Sequence, residues 1–266
     1  MLGKLIKYDL ISVSKILFPL HLALLVVTVL GRLSMALNLP QNAPLIVSLM
    51  LMLYIFGIIA IGIITLVVLV MRFYKNLFTS EGYLMHTLPV KASQHLNSKL
   101  IVAVLWSILD CVFIIFSIFI LLVNQPWLNQ ISAANWAELK EMFSIIFLGG
   151  GNTMVSILFL CLYMLIANIY IFLSFYVSIC IGQLMNKHKV LGSFLAYLVI
   201  YVISQILSVI SMLFFGLSSL RGFPVQTLTF EYYRNLMTLS IVETLAFSIV
   251  FYLISNYMIS KKLNLD

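Results

Sequence analysis

PLIVSLMLMLYIFGIIAIGIITLVVLVM, residues 44–71, is the segment that decides the fold class, because it contains no charged side chain. A helix that crosses the roughly 30 Å hydrocarbon core of a bilayer needs about 20 predominantly apolar residues. The rest of the chain has the same character: 63% of its 266 residues are hydrophobic and only 9% are charged. A soluble domain carries roughly 25% charged residues. The sequence therefore predicts a polytopic helical membrane protein.

Six segments have the length and hydropathy that a membrane-spanning helix needs. Their approximate limits are residues 16–38, 44–71, 100–124, 153–182, 190–217 and 236–258. No small-residue cleavage site follows the first of them, which favours a retained span over a signal peptide. Pro19 would lie in its first turn, where a proline removes no needed hydrogen bond. The predicted fold class is an all-α membrane protein with a single transmembrane domain over residues 1–266.

Lysine and arginine are distributed unevenly between the two sides of these six spans. One side holds eleven of the fifteen, namely Lys4, Lys7, Lys15, Arg72, Lys75, Lys91, Lys99, Lys187, Lys189, Lys261 and Lys262. Because cytoplasmic loops are enriched in these residues, both termini and the 72–99 loop are predicted to be cytoplasmic, in a multi-pass protein of the plasma membrane. The net charge of +7 is then a topology signal with some affinity for anionic membrane lipid, and it does not indicate nucleic acid as a partner.

Residues 1–15, MLGKLIKYDLISVSK, are patterned like an amphipathic helix. The apolar residues at helical spacing are Leu2, Leu5, Ile6, Leu10 and Val13. The opposite face carries Lys4, Lys7, Tyr8, Ser12 and Lys15. This pattern favours an elbow helix that lies in the cytoplasmic interface with its lysines toward lipid phosphates. The alternative is a charged flank that only sets the topology of the first span.

Two outer segments also carry structural signals. Asn135 and Glu138 have the spacing of a capping box, which predicts a short interfacial helix that ends at the glycines 149–151. The last outer loop combines aromatic residues with Arg221 and Arg234, a composition typical of the membrane interface. A partly re-entrant outer gate is the alternative for that loop.

Two ionisable residues lie inside predicted spans, Asp110 in the third and Glu243 in the sixth. Asp110 is about ten residues from the cytoplasmic end of its span, near mid-membrane at ~1.5 Å per residue. A charge at such depth costs roughly 2.5–3.5 kcal/mol, so each acid is expected to face protein or water. It could belong to a translocation pathway or proton site. The alternative is a structural acid bonded to a neighbouring helix. The candidate partners are His21, Asn168, Gln183 and Gln205.

Catalytic and metal-binding motifs are absent from the sequence. It contains no Walker A segment, no GxSxG nucleophile elbow and no HExxH zinc motif. Its four histidines are scattered, and its three cysteines fall inside predicted spans without a CxxC pair. We therefore expect no enzymatic activity, no metal and no cofactor in this chain. A hydropathy repeat typical of inverted-repeat secondary transporters is also absent from the sequence.

The segment SEGYLMHTLPVKASQHLNSK, residues 80–99, is polar and lies between two apolar spans. Glu81, the residues TLPV at 87–90 and then Lys99 before the third span resemble the loop after span two in ABC-2 type permeases. The longer stretch RFYKNLFTSEGYLMHTLPV is similar to the version in small permeases of Gram-positive bacteria. One departure is NSK at residues 97–99, where that family often has glycine before the lysine. An amphipathic N-terminal helix and six spans are also the layout of that family.

This resemblance implies the membrane subunit of an ATP-driven exporter, which pairs with a second copy or a paralogue and binds separate ABC ATPase subunits. ATP and Mg²⁺ would belong to the partner ATPase. The 72–99 loop would hold the coupling helix, with the docking residues Glu81, Gly82, Tyr83, Leu84, Met85, His86, Thr87, Leu88, Pro89 and Val90. Pro89 cannot continue a helix and biases Leu88 to an extended shape, so the loop would turn there. An ordinary solvated loop with a turn proline is the alternative.

The function that follows is ATP-driven export of a hydrophobic or amphipathic substrate, such as a peptide or a drug-like molecule. Two functions of other classes compete with it. One is a membrane adaptor or immunity protein that docks a partner without transport. The other is a proton-coupled secondary carrier that uses Asp110 and Glu243.

Overall fold

The computed structural model describes residues 2–37, 44–79, 82, 90–122, 153–185, 187–219 and 228–261. Its α-helices are α1 (Leu2–Ala36), α2 (Pro44–Phe78), α3 (Ala92–Leu122), α4 (Thr153–Gly182), α5 (Lys189–Ser219) and α6 (Leu228–Lys261). Strands are absent from the described residues. Six helices are long and apolar enough to cross a membrane, which confirms the predicted all-α class and its six spans. By the length and composition of these helices, the chain is a multi-pass membrane protein.

Large apolar side chains cover the outside of the helices, as a lipid environment requires. α5 shows this clearly, because Phe194, Val199 and Phe214 are 61%, 58% and 74% exposed. Soluble proteins rarely expose contiguous apolar surface on this scale, whereas the hydrocarbon core of a bilayer solvates it. Helical backbone also satisfies its own hydrogen bonds, which is the condition for crossing that core.

α1 is one continuous helix, so the elbow segment predicted over residues 1–15 is not a separate element. Its 35 residues extend about 52 Å at 1.5 Å per residue, well beyond the ~30 Å of the hydrocarbon core. The expectation that Pro19 lies in a first helical turn is wrong, because Pro19 lies in the middle of α1. It therefore cannot donate an N–H to the carbonyl of Lys15, four residues earlier.

The segment predicted as a loop over residues 72–99 is helical at both of its ends. α2 continues to Phe78 and α3 begins at Ala92, so Arg72 and Lys99 are helical residues. Residues 79–91 connect the two helices and are called the α2–α3 connection below. The predicted docking residues thus occupy a shorter connection than the apolar pattern of the sequence indicated.

The chain divides into two compact units, Met1–Gln130 and Ile131–Asp266. In the first unit, α1 packs mainly against α3 and also against α2. The buried stripe of α1 is half polar and consists of Asp9, Val13, Leu17, His21, Leu24 and Thr28. Their spacing of three or four residues places them on one face of the helix. Polar contacts between helices are therefore part of the packing face itself.

In the second unit, α4 packs against both α5 and α6. Phe175 of α4 stacks on Tyr197 of α5 with ring centroids 4.6 Å apart. Tyr170 of α4 stacks on Phe251 of α6 with centroids 5.8 Å apart. Offset or stacked aromatic pairs stabilise a fold by roughly 0.5–1.5 kcal/mol beyond their burial. Packing of rings and aliphatic side chains dominates the described helix contacts of this unit.

The turn between α4 and α5 brings these two helices into close approach. A Cβ added to Gly182, the last residue of α4, would overlap Ser193 of α5 at its Oγ and its backbone. Only glycine fits at such a contact. His188, immediately before α5, has a φ of 59°, in the left-handed region that residues with side chains rarely adopt. Local geometry thus fixes how α5 leaves α4.

Candidate functional site

Most of the predicted docking residues lie outside the residues that the structure describes; Gly82 and Val90 are the described members. The backbone N–H of Gly82 donates to the carbonyl of Thr79 at 2.7 Å. A Cβ on Gly82 would lie 2.6 Å from the carbonyl oxygen of Leu77. The chain therefore folds back against the last turn of α2 as it leaves that helix, and a larger residue does not fit there.

A buried ionic cluster of Asp9, Arg72 and Lys99 lies at the base of the α2–α3 connection. Lys99 Nζ donates to Asp9 Oδ1 at 2.6 Å, and the two side chains are only 4% and 5% exposed. Arg72 Nε lies 3.4 Å from the same oxygen, with 29% of its side chain exposed. Lysine and aspartate are almost never fully buried unless they are paired. The short distance defines a charge-assisted bond that solvent does not screen.

The ionic cluster joins three helices at one end of the first unit. Asp9 belongs to the N-terminal part of α1, Arg72 to the last turns of α2 and Lys99 to the beginning of α3. The N-terminus and the α2–α3 connection therefore share that end. The two helices that flank the connection each contribute a cation to the same carboxylate.

A second buried pair joins α1 and α3 further along the same unit. His21 Nε2 lies 2.8 Å from Asp110 Oδ1, and His21 Nδ1 lies 2.8 Å from the carbonyl oxygen of Leu17. At 1.5 Å per residue, His21 is about 18 Å along α1 from Asp9. The rings of Trp106 and Phe113 pack near the imidazole, with centroids 6.1 and 4.9 Å away. Of the four partners expected for Asp110, the structure places His21 beside it.

The hydrogen bonds of His21 determine how many protons this pair carries. A carbonyl oxygen can only accept, so Nδ1 carries a proton and donates it to Leu17. The contact between Nε2 and Asp110 Oδ1 needs one more proton, whichever of the two atoms holds it. In both arrangements the pair is neutral overall. A neutral, bonded pair is far cheaper to bury than a lone carboxylate, so this geometry accounts for Asp110 without a transport pathway.

A third polar contact links α2 and α3 near the other end of the unit. The Tyr54 hydroxyl lies 2.7 Å from Ser117 Oγ. Ser117 Oγ donates its one proton to the carbonyl of Ile114 at 2.8 Å, so Tyr54 is the donor between the two hydroxyls. Both side chains are buried. The first unit therefore has a polar contact between helices at three levels along its length.

Glu243 lies in the second unit beside a cavity of about 290 Å³. Ser208 Oγ donates to Glu243 Oε2 at 3.4 Å, and Ser211 Oγ lies 3.2 Å from the same oxygen while its one proton is shared with the carbonyl of Ser208 at 2.9 Å. Both serines belong to α5, and neither is among the partners expected from the sequence. The other residues that line the cavity are Tyr163, Met212, Leu236, Leu239 and Ser240. The half-buried carboxylate of Glu243 thus faces neutral hydroxyls beside an apolar wall.

The N-terminal lysines are placed as the amphipathic pattern requires. The exposed ones are Lys4, Lys7 and Lys15. Val13, from the predicted apolar face, is buried, and so is Asp9, which sequence analysis missed. The signal that could have identified Asp9 is its spacing of four residues from Val13 and eight from Leu17, which places it on the packing stripe.

Groups of three or more His, Cys, Asp or Glu side chains that could hold a metal ion do not occur within the described residues. Comparison of the chain with protein-family models, curated proteins and solved structures found no match.

Proposed function

We propose that this chain is the transmembrane subunit of an ATP-driven exporter of the ABC-2 type in the plasma membrane. It moves a hydrophobic or amphipathic substrate outward, and separate ABC ATPase subunits bind ATP and Mg²⁺ on the cytoplasmic side. A second copy or a paralogue completes the translocation unit. In this scheme the chain has no catalytic residue of its own.

The ionic cluster carries this proposal. An exporter must transmit the motion of a soluble ATPase to helices that cross the membrane. A flexible tether loses that motion, whereas helices bonded to a common buried anion move together. Lys99 of α3 and Arg72 of α2 both contact Asp9 of α1. A force on the α2–α3 connection is therefore delivered to three helices at once.

The form of the α2–α3 connection supports the same role. It is short, and at Gly82 it is folded tightly against the end of α2. Pro89 would end any helix within it. The sequence between these points contains Tyr83, Leu84 and Met85, three large apolar side chains that would dock against a partner. Burial of such large side chains provides most of the binding energy in protein interfaces.

Affinity purification of the full chain from its native membranes, followed by mass spectrometry of its partners, tests this proposal. We expect an ATPase with a Walker A motif to co-purify with the wild type. Changing Tyr83, Leu84 and Met85 together to alanine should lower its recovery about tenfold or more, because central interface side chains each contribute above ~1 kcal/mol. Val199→Ala, a lipid-facing change of similar chemistry in α5, is the matched control and should leave recovery unchanged.

Three results would contradict parts of the proposal. A purified complex without any ATPase would refute the exporter assignment, and undiminished recovery with the triple variant would refute the docking surface. An ATPase that binds while no substrate moves would instead indicate an adaptor. Transport that follows a pH gradient without ATP would support a proton-coupled carrier, with the His21–Asp110 pair as the candidate proton site.

A further inference from the structure

The environment of Glu243 differs from that of the other described acids. The structure describes the side chains of Asp9, Asp110 and Glu243. Asp9 is paired with Lys99, and Asp110 is paired with His21. Glu243 is bonded to two serine hydroxyls, and no lysine, arginine or histidine whose side chain is described forms an ion pair with it. Among the described acids, Glu243 is therefore the one whose carboxylate has no described cationic side chain bonded to it.

The two serine bonds do not neutralise this carboxylate. Their lengths of 3.2 and 3.4 Å exceed the roughly 2.5–2.7 Å that is typical of O–H···O⁻ bonds. A hydroxyl also donates without supplying positive charge. The span of α6 begins at Thr238, so Glu243 lies about 8 Å inside it at 1.5 Å per residue. At that depth an uncompensated carboxylate is unfavourable, and a cation from outside the chain would relieve it.

The cavity beside Glu243 has one polar end and one apolar wall. Glu243, Ser208 and Ser211 form the polar end, while Met212, Leu236 and Leu239 form the wall. Its volume of about 290 Å³ is near the lower limit of small-molecule sites, which hold roughly 300–1,000 Å³. An inorganic divalent cation does not suit this lining, because Mg²⁺ and Ca²⁺ need six or more oxygen ligands. A neutral apolar ligand would leave the carboxylate unpaired.

We propose that this cavity binds an organic ammonium ion that carries an apolar body. The ammonium lies against the Glu243 carboxylate, and its remaining N–H groups donate to the hydroxyl oxygens of Ser208 and Ser211, which have free lone pairs to accept them. The apolar body packs on Leu236 and Leu239. This inference does not rest on the proposed export, because binding needs neither an ATPase nor transport. A lipid headgroup and a dissolved amphiphile can both supply such an ammonium.

The test uses the full chain purified in the non-ionic detergent dodecyl maltoside. The probe is an alkylamine with a photoreactive diazirine in its chain, and the matched control probe is the alcohol with the same chain. After irradiation, mass spectrometry maps the labelled residues. We expect the amine to label the cavity lining at least tenfold more than the alcohol does. Glu243→Gln should reduce amine labelling about 10- to 100-fold, as expected for loss of a charge-assisted hydrogen bond.

Two further variants separate binding from folding. Ser211→Leu keeps the carboxylate but fills the cavity, and it should remove labelling by the amine. Ser248→Ala changes a buried serine of α6 that does not line the cavity, and labelling should stay at the wild-type level. All variants are compared as monodisperse species after gel filtration, so that a misfolded variant is not counted as a loss of binding.

Addition of phosphatidylethanolamine distinguishes the two sources of the ammonium. If the lipid removes labelling by the amine, the natural occupant is a lipid headgroup; if labelling persists, the occupant is a dissolved amphiphile. Equal labelling of the lining by amine and alcohol, or an unchanged signal in both Glu243→Gln and Ser211→Leu, would overturn the inference. None of these results depends on an ATPase, so a failure here is distinct from a failure of the exporter proposal.

Discussion

Each of the two compact units consists of three apolar helices, and the two units hold their helices together by different contacts. The first uses polar contacts between helices, of which Lys99–Asp9 and His21–Asp110 are the shortest ionisable pairs. The second uses stacked rings and the close contact at Gly182, together with the longer contacts of Ser208 and Ser211 to Glu243. Lipid tails are as apolar as leucine, so helices in a bilayer associate through packing and hydrogen bonds and not through a hydrophobic driving force.

This difference separates the two units in what they can do. Each described acid of the first unit is bonded to a basic side chain, Asp9 to Lys99 and Asp110 to His21. In the second unit, Glu243 has no such match among described side chains and borders a cavity. The first unit holds the ionic cluster on which the proposed force transmission depends, and the second holds the cavity of the proposed ammonium site. Substitutions that test this difference are expected to change the stability of the chain by different amounts.

The largest effect is expected for Asp9→Asn. The change removes the negative charge that pairs with Lys99, whose side chain is 4% exposed. Removal of one partner from a buried ion pair typically costs about 3–5 kcal/mol, because the other charge stays buried without compensation. We expect a large drop in the thermal midpoint of the purified chain, measured by gel filtration after heating, and little folded protein in the membrane.

The control for Asp9→Asn replaces Asp9 together with Lys99, the more buried of its two cationic partners. Asp9→Leu with Lys99→Met fills a similar volume without charge, and such replacements are often neutral for stability. Recovery of the thermal midpoint in the double variant would attribute the loss to the unpaired lysine. If the double variant is as unstable as Asp9→Asn, the cluster does not stabilise the unit through its charges.

The fold class and its six spans were accessible from the sequence, because about 20 apolar residues in a row have one common structural solution in a bilayer. The ends of the helices were harder to predict. Arg72 and Lys99 mark the limit of apolar composition, yet α2 and α3 continue past them, since backbone hydrogen bonding does not stop where hydropathy falls. The continuity of α1 through Pro19 was also missed for this reason.

The partners of the polar residues could not all be predicted, because they depend on helix packing that a single sequence does not specify. His21 could be named as one of several partners for Asp110, because polar residues in apolar helices must find each other. Asp9 was overlooked, and the serines beside Glu243 were not expected, because serine is common on helices and carries no signal by itself. The cavity could not be predicted, since side chains of three helices, α4, α5 and α6, line it.

An intermediate effect is expected for Gly182→Ala in the second unit. The new methyl group would overlap Ser193, so α4 and α5 must move apart. Overpacking of this kind costs typically 1–3 kcal/mol. The matched control is Gly62→Ala in α2, where a Cβ has no neighbour within 4 Å and alanine is the better helix former. A lower thermal midpoint for Gly182→Ala and an equal or higher one for Gly62→Ala are the expected results.

Equal midpoints for these two glycine variants would contradict the packing account of the second unit. They would mean that α4 and α5 are not held by close approach at their turn. The stacked pairs Phe175–Tyr197 and Tyr170–Phe251 would then be the remaining packing contacts that distinguish this unit.

The smallest effect is expected for Tyr54→Phe, which removes the donor of the hydroxyl contact to Ser117 and keeps the ring. Hydrogen bonds between membrane helices contribute about 0.6 kcal/mol on average, well below the cost of an unpaired buried charge. Ser117 Oγ keeps its bond to the carbonyl of Ile114 in this variant, so no donor is left unsatisfied. A double-mutant cycle with Ser117→Ala isolates the contact, and Tyr201→Phe, a change at a half-exposed ring in α5, controls for loss of a hydroxyl. A coupling energy as large as the loss in Asp9→Asn would show that hydroxyl pairs, and not ionic pairs, dominate the first unit.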